Sequence, residues 1–215
     1  MIITLPIGIL QSNCCLVYDK TTRDGAIVDP GGDTVPLMKE IEEREIEVRY
    51  IINTHGHFDH IAANGALQSL DAPLALHPAD RDLLTEGGGA SWFDLAYIPS
   101  PGPDIDLHDG QVLTVGALHL HVVHTPGHTP GSICLYIPED GALITGDTLF
   151  AGSVGRTDLP QGNPRALTES LKKLLSLDYP PETKIYPGHG PTSTLARERQ
   201  RNPWLRRLKT SGSGD

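Results

Sequence analysis

The chain has 215 residues, with 17 basic against 27 acidic side chains and a formal net charge of −10. That length suits one α/β domain with a sizeable core, the acidic balance argues against non-specific nucleic-acid binding, and no apolar stretch approaches the roughly 18 residues that cross a bilayer. Cys14, Cys15 and Cys134 form no CxxC pair, so buried, reduced thiols in a cytoplasmic protein are the simplest account.

Residues 1–8, 13–18 and 26–29 read as short strands. The first of these has no basic n-region and no small-residue cleavage site, which favours a strand over a signal peptide. Asp33 is placed to cap a helix running to about Glu45. Residues 48–53 have the look of a buried strand, and a helix is expected from the histidine-rich segment that follows to Leu70. Residues 74–76 read as a strand and 78–84 as a short helix. Residues 86–104, with three consecutive glycines, Trp92 and Phe93, read as a loop long enough to be a lid or a site wall. Strands are expected again at 111–115, 118–124, 132–137 and 142–145. Asn163 is placed to cap a helix to about Ser176, with Leu167, Leu171, Leu174 and Leu175 at helical spacing. A strand at 184–186 and a helix over about 193–201 follow, and the basic stretch 197–209 reads as a solvated terminal helix. Residues 1–210 are expected to form one domain and 211–215 a flexible tail. The pattern appears twice, which predicts two β-rich halves packed face to face with helices outside and their loops at one edge.

The chemistry lies in those loops. His55-x-His57-x-Asp59-His60 leaves a strand, and residues two apart in extended chain project the same way. His55, His57 and Asp59 therefore point to one side, and His60 follows as the chain turns into a helix. Imidazoles and a carboxylate are ligands for zinc, iron or manganese. Such a pattern at four fixed positions arises by chance in about one chain of this length in a thousand. Thr125-Pro126-Gly127-His128-Thr129-Pro130-Gly131 sets a His in a turn between two strands. Thr145-Gly146-Asp147-Thr148 sets an Asp just after a strand, and Pro187-Gly188-His189-Gly190 does the same with a His. Together these residues exceed the needs of one zinc ion and suit two. Ser132 and Ser153 read as turn or strand residues, so no side-chain nucleophile competes.

In this order the motifs resemble the metallo-β-lactamase superfamily over nearly the whole chain. Within it the chain is similar to the glyoxalase II-like hydrolases, in particular a small bacterial subgroup lacking the C-terminal helical domain. The marks are Val28-Asp29-Pro30-Gly31-Gly32, the run from Gly146 to Gly152 with Gly155-Arg156-Thr157-Asp158, and Pro187-Gly188-His189-Gly190-Pro191 leading to Asn202-Pro203. The resemblance implies an αββα sandwich with the metals at one edge of two mixed sheets. It implies that His55, His57 and His128 bind one metal, that Asp59, His60 and His189 bind a second, and that Asp147 bridges them. Asp29 would accept a hydrogen bond that orients a ligand. Asp59, His128 and Asp147 would be the catalytic members.

The implied cofactor is a pair of divalent ions, zinc first, with iron or manganese also fitting. The implied reaction is hydrolysis of a small-molecule thioester, S-2-hydroxyacylglutathione, by a hydroxide held between the metals. A thiolate leaves without a dedicated acid, and none is evident outside the ligand set. Arg156 would pair with a glutathione carboxylate, or else with Asp158. Two other readings stay open. One is a glutathione persulfide dioxygenase holding a single iron through His55, His128 and Asp147. The other is a metal-binding module without catalysis. No nucleic-acid or membrane partner is expected.

Overall fold

The second strand sets up the layering. In Ser12–Tyr18 every residue is buried, so both faces of the strand must pack against protein. Cys15 and Val17 enter one core, where Ala26, Val28 and Ile52 meet Val115, Leu120, Leu135 and Ile144. Cys14, Leu16 and Tyr18 point the other way and meet Leu37, Ile41 and Ile61. The period-two alternation of a strand thus serves two hydrophobic layers at once. Each large apolar side chain so buried contributes on the order of 1.5–3 kcal/mol.

The computed structural model describes residues 1–96 and 99–210, so the expected tail at 211–215 lies outside the described residues. The first sheet has six strands in chain order: β1 (Ile2–Ile7), β2 (Ser12–Tyr18), β3 (Asp24–Val28), β4 (Glu47–Ile52), β5 (Leu74–Leu76) and β6 (Ile105–Asp106). Its first three strands pair antiparallel and the rest parallel. The second sheet uses β7 (Val112–Val115), β8 (Leu118–His124), β9 (Ile133–Ile137) and β10 (Ala142–Gly146). A two-stranded hairpin, β11 (Leu149–Phe150) and β12 (Ser153–Val154), comes next. Then β13 (Lys184–Pro187) and β14 (Ser193–Thr194) complete the second sheet in the order β14–β13–β10–β9–β8–β7.

Helices cover the outer faces. Leu37 and Ile41 of α1 (Val35–Glu43), Ile61 of α2 (Phe58–Ile61) and Leu84 of α3 (Arg81–Thr85) pack on the first sheet. Leu167, Leu171 and Leu174 of α4 (Pro164–Ser176), Leu195 of α5 (Leu195–Arg201) and Leu205 of α6 (Pro203–Thr210) cover the second. This is the expected αββα sandwich. No helix among the described residues is long and apolar enough to cross a membrane.

Three local expectations need correction. The helix expected to reach Leu70 is a single turn, α2, followed after turns by a 3-10 segment at Ala66–Leu70. Ala63 N–H, which a longer helix would send to the Asp59 carbonyl, goes instead to Pro30 O at 2.9 Å. Asp33 does not cap α1 from the N-cap position, which Thr34 holds; its carboxylate accepts from Val35 N–H at 3.0 Å. The terminal helix divides at Asn202, and Pro203 starts α6, where a missing N–H costs nothing.

Candidate metal centre

Ends of strands from both sheets deliver the side chains. After β4 the chain bends at Thr54 and His55, is extended at His57 (φ −70°, ψ 147°) and then turns into α2. His57 therefore comes from extended backbone, His55 from the bend that precedes it, and Asp59 and His60 from the helical turn of α2. His128 lies in the β8–β9 loop, Asp147 follows β10, and His189 follows β13. His55, His57, Asp59, His60 and His128 are buried, and His189 is the most open of the set, at 30%.

The structure brings all of them together. Candidate ligand atoms of His55, His57 and His128 lie within 4.8 Å of one another, as do those of Asp59, His60 and His189. His57 Nδ1 and His128 Nε2 are 2.9 Å apart. Asp147 reaches both groups: its carboxylate is 3.5 Å from His60 Nε2, 3.5 Å from His128 Nε2 and 3.7 Å from His189 Nε2. Such closeness needs bare backbone nearby. A Cβ on Gly188 would stand 2.2 Å from Asp147 Oδ1 and 2.8 Å from the His60 ring.

Hydrogen bonds fix which ring nitrogens face inward. Asp29, buried at the end of β3, accepts from Thr54 N–H and Thr54 Oγ1–H, both at 2.7 Å, and from His60 Nδ1 at 3.0 Å. Since the Thr54 hydroxyl donates to Asp29, it accepts from His55 Nδ1, 3.1 Å away. His128 Nδ1 donates to the Arg156 carbonyl at 2.8 Å. Each bond engages that ring's Nδ1 and leaves its Nε2 turned into the site. His55 Nε2, His57 Nε2, His60 Nε2 and Asp147 Oδ1 are buried without a hydrogen-bond partner. Orphaned buried groups each cost about 1–3 kcal/mol, and here all converge on one space. The His and Asp set is consistent with two divalent metal ions.

Electrostatics agree. Burial, with the neighbouring His128, pushes His57 down to about 3, so its ring is neutral and free to coordinate. His55 is lowered by burial and by the surrounding imidazoles. His60 behaves oppositely: burial opposes its charge, but Asp59, Asp29 and Asp147 prevail and raise it to about 10. Asp59 resists burial and is held below the usual carboxylate range by His60 and His189. The carboxylates thus build a field that calls for positive charge, which cations supply.

A cavity of about 450 Å³ opens over the site. Asp59, His128, Asp147 and His189 reach it, and Phe93, Phe150, Val154 and Leu159 give it apolar walls. The 86–104 loop supplies Phe93 to that wall, and Trp92 of the same loop sets its ring edge-on to His57, 5.9 Å between centroids. Arg156 also lines the cavity, but its guanidinium makes a two-pronged contact with Asp158 at 2.8 and 2.7 Å.

Several supporting residues were not singled out from the sequence. Ser12 donates to Asp59 at 3.2 Å, and Asn13 donates to Pro187 O and Gly190 O on either side of His189. Two polar residues opening an otherwise apolar strand were the available signal. Asp80, buried between the two His-bearing loops, carried no signal beyond that of a helix start.

Residues 7–189 match the Lactamase_B family, described as the metallo-beta-lactamase superfamily, and the chain belongs to that superfamily. It is 34% identical to the hydroxyacylglutathione hydrolase GloC of Haemophilus influenzae, over 94% of this chain and 96% of that one. It is also 34% identical to the probable metallo-hydrolase YqgX of Bacillus subtilis, over 94% and 95%. Among solved structures it superimposes on TTHA1623 in a di-iron-bound form with a TM-score of 0.85, at 40% identity, over 94% of this chain and all of that one. The chain is a probable metal-dependent hydrolase with a His/Asp metal site.

Proposed function

We propose that this metallo-β-lactamase superfamily member is a binuclear hydrolase of small-molecule thioesters, of the S-2-hydroxyacylglutathione class. The observation that carries the reading is the second complete cluster. Asp59, His60 and His189 converge beside His55, His57 and His128, and Asp147 reaches across to both. A single iron bound by His55, His128 and Asp147 would leave the second cluster without a task. The likeness to GloC supports the substrate class.

In this reading His55, His57 and His128 would hold one ion and Asp59, His60 and His189 the other, with Asp147 within reach of both. When bound, zinc or iron ions supply a Lewis acid for the substrate carbonyl and a water of lowered pKa. The protein does the rest. Asp29 keeps His60, and through Thr54 also His55, in the tautomer that can bind metal. Asp59, His128 and Asp147 face the cavity in which the scissile carbonyl would be held. Phe93 and Phe150 give that cavity apolar walls. Arg156, steadied by Asp158, offers its remaining donors to a carboxylate of the thiol arm. The departing thiolate needs no acid, since its parent thiol has a pKa of about 8.5.

The test combines metal counting with S-lactoylglutathione hydrolysis, alongside Asp59→Ala. Two ions per chain and turnover that collapses by at least about 100-fold in the variant are expected. One iron per chain, no hydrolysis, and oxygen uptake with glutathione persulfide would replace this reading with the dioxygenase.

A further inference from the structure

Asp80 is buried at 0% exposure, at the N-cap position of α3, yet its side chain does not cap that helix. An Asp in that position ordinarily accepts from a backbone N–H of the first helical turn. Here that interaction is forgone and the carboxylate is turned inward. Oδ2 accepts from Gly56 N–H at 2.9 Å and from Thr129 Oγ1–H at 2.6 Å, and Oδ1 accepts from Gly131 N–H at 2.5 Å. Gly56 lies between His55 and His57. Thr129 follows His128 directly, and Gly131 closes the same turn. One carboxylate therefore grips both loops that carry the three-imidazole cluster, one from each sheet. The fit is close: a Cβ on Gly131 would stand 2.6 Å from Asp80 Cγ. Ser132 completes the arrangement by donating to Thr129 Oγ1 at 2.7 Å, while accepting from Thr129 N–H at 3.0 Å.

We infer that Asp80 is a positioning residue for the His55–His57–His128 metal site, setting the spacing of the two ligand loops across the sandwich, and that it has no such part in the Asp59–His60–His189 site. The inference rests on the two-metal reading above. Among the described residues the second cluster is held by other side chains: Ser12 donates to Asp59, Asn13 braces the backbone around His189, and Asp29 contacts His60. Both oxygens of Asp80 accept, so an amide cannot replace it. Asp80→Asn sets an NH2 group either against Gly131 N–H or against the Gly56 and Thr129 donors.

The experiment reads each site alone by cobalt(II) binding, with the d–d absorption spectrum as signature. An Asp59→Asn background leaves the three-imidazole site, and a His128→Ala background leaves the other. Adding Asp80→Asn is expected to weaken cobalt about 10–100-fold and change the spectrum in the first background, and to change neither in the second. Thr129→Val is expected to act in the same direction more weakly, and Thr129→Ser to restore binding, since it keeps the hydroxyl; this pair decides the matter should Asp80→Asn not fold. Equal losses in both backgrounds, or unchanged binding in the first, would overturn the inference and leave the hydrolase reading intact. Wild-type protein that holds fewer than two ions would overturn both.

Discussion

A thiol sealed between apolar layers keeps its proton, and all three cysteines of this chain are buried in that way. Burial pushes Cys15 up to about 12, although Thr4 pulls the other way, and Cys134 up to about 11 against the pull of Thr125; Cys14 is raised as well. Held protonated in this way, none is activated as a nucleophile at neutral pH. The same burial makes stability depend on alkaline pH. A group whose pKa is higher folded than unfolded stabilises the fold fully below its unfolded value, here near 9, and loses that contribution as pH rises through the folded value. Thermal midpoints should therefore fall between about pH 9 and 11, and a variant with all three cysteines as alanine should show a shallower fall over that window. An equally steep fall in the variant would assign the alkaline loss to other groups. Native protein should also resist thiol reagents that label it once unfolded.

The elements matter to function through the loops they brace. Asn163 caps α4 by accepting from Arg165 N–H and Ala166 N–H, each at 3.0 Å, and its own N–H donates to Gly127 O, beside His128. Ser170 of the same helix donates to Pro126 O at 2.7 Å. The helix is thus the floor of the His128 loop. Asn163→Ala should cost about 1 kcal/mol, seen as a lower urea midpoint with an unchanged slope; no shift would mean that the backbone bond to Gly127 suffices. This helix was legible in the sequence because its Asn163 cap and its leucine spacing agreed. So were β8, β9 and β10, whose alternation or apolar runs were unbroken. The α2 region was read too long because its end is set by a tertiary bond, Ala63 N–H to Pro30 O, which no local pattern reveals. The hairpin of β11 and β12 and the edge strands β6 and β14 escaped because two residues carry no period. The candidate ligand side chains were legible as chemically distinctive residues, and the structure brings them together. Asp80 was not, since a buried Asp that grips two distant loops looks in sequence like any helix cap.

At the scale of the molecule, the metal centre joins the two sheets. His55, His57, Asp59 and His60 follow β4 of the first sheet, whereas His128, Asp147 and His189 come from the second. Ions bound there crosslink the sandwich at its edge and are absent from the unfolded chain, so binding adds to folding stability as RT ln(1 + [M]/Kd). At one hundred times the dissociation constant that is about 2.7 kcal/mol for one ion. For a chain of this size, each kcal/mol raises the midpoint by roughly 2–4 °C, so one saturating ion should add about 5–10 °C. Calorimetry before and after chelation reads this directly. If residues 1–210 form one cooperative unit, the whole transition should shift as a single peak, because the apolar layer between the sheets is shared by both. A second, metal-insensitive peak would instead mean that one half unfolds on its own and that the centre is a latch between separable parts. The metal-free protein should remain folded, since the inter-sheet core owes nothing to the ions. What it should lose first is the ordered approach of the His55–His60 and His128 loops, where the ring nitrogens His57 Nδ1 and His128 Nε2 face one another at 2.9 Å.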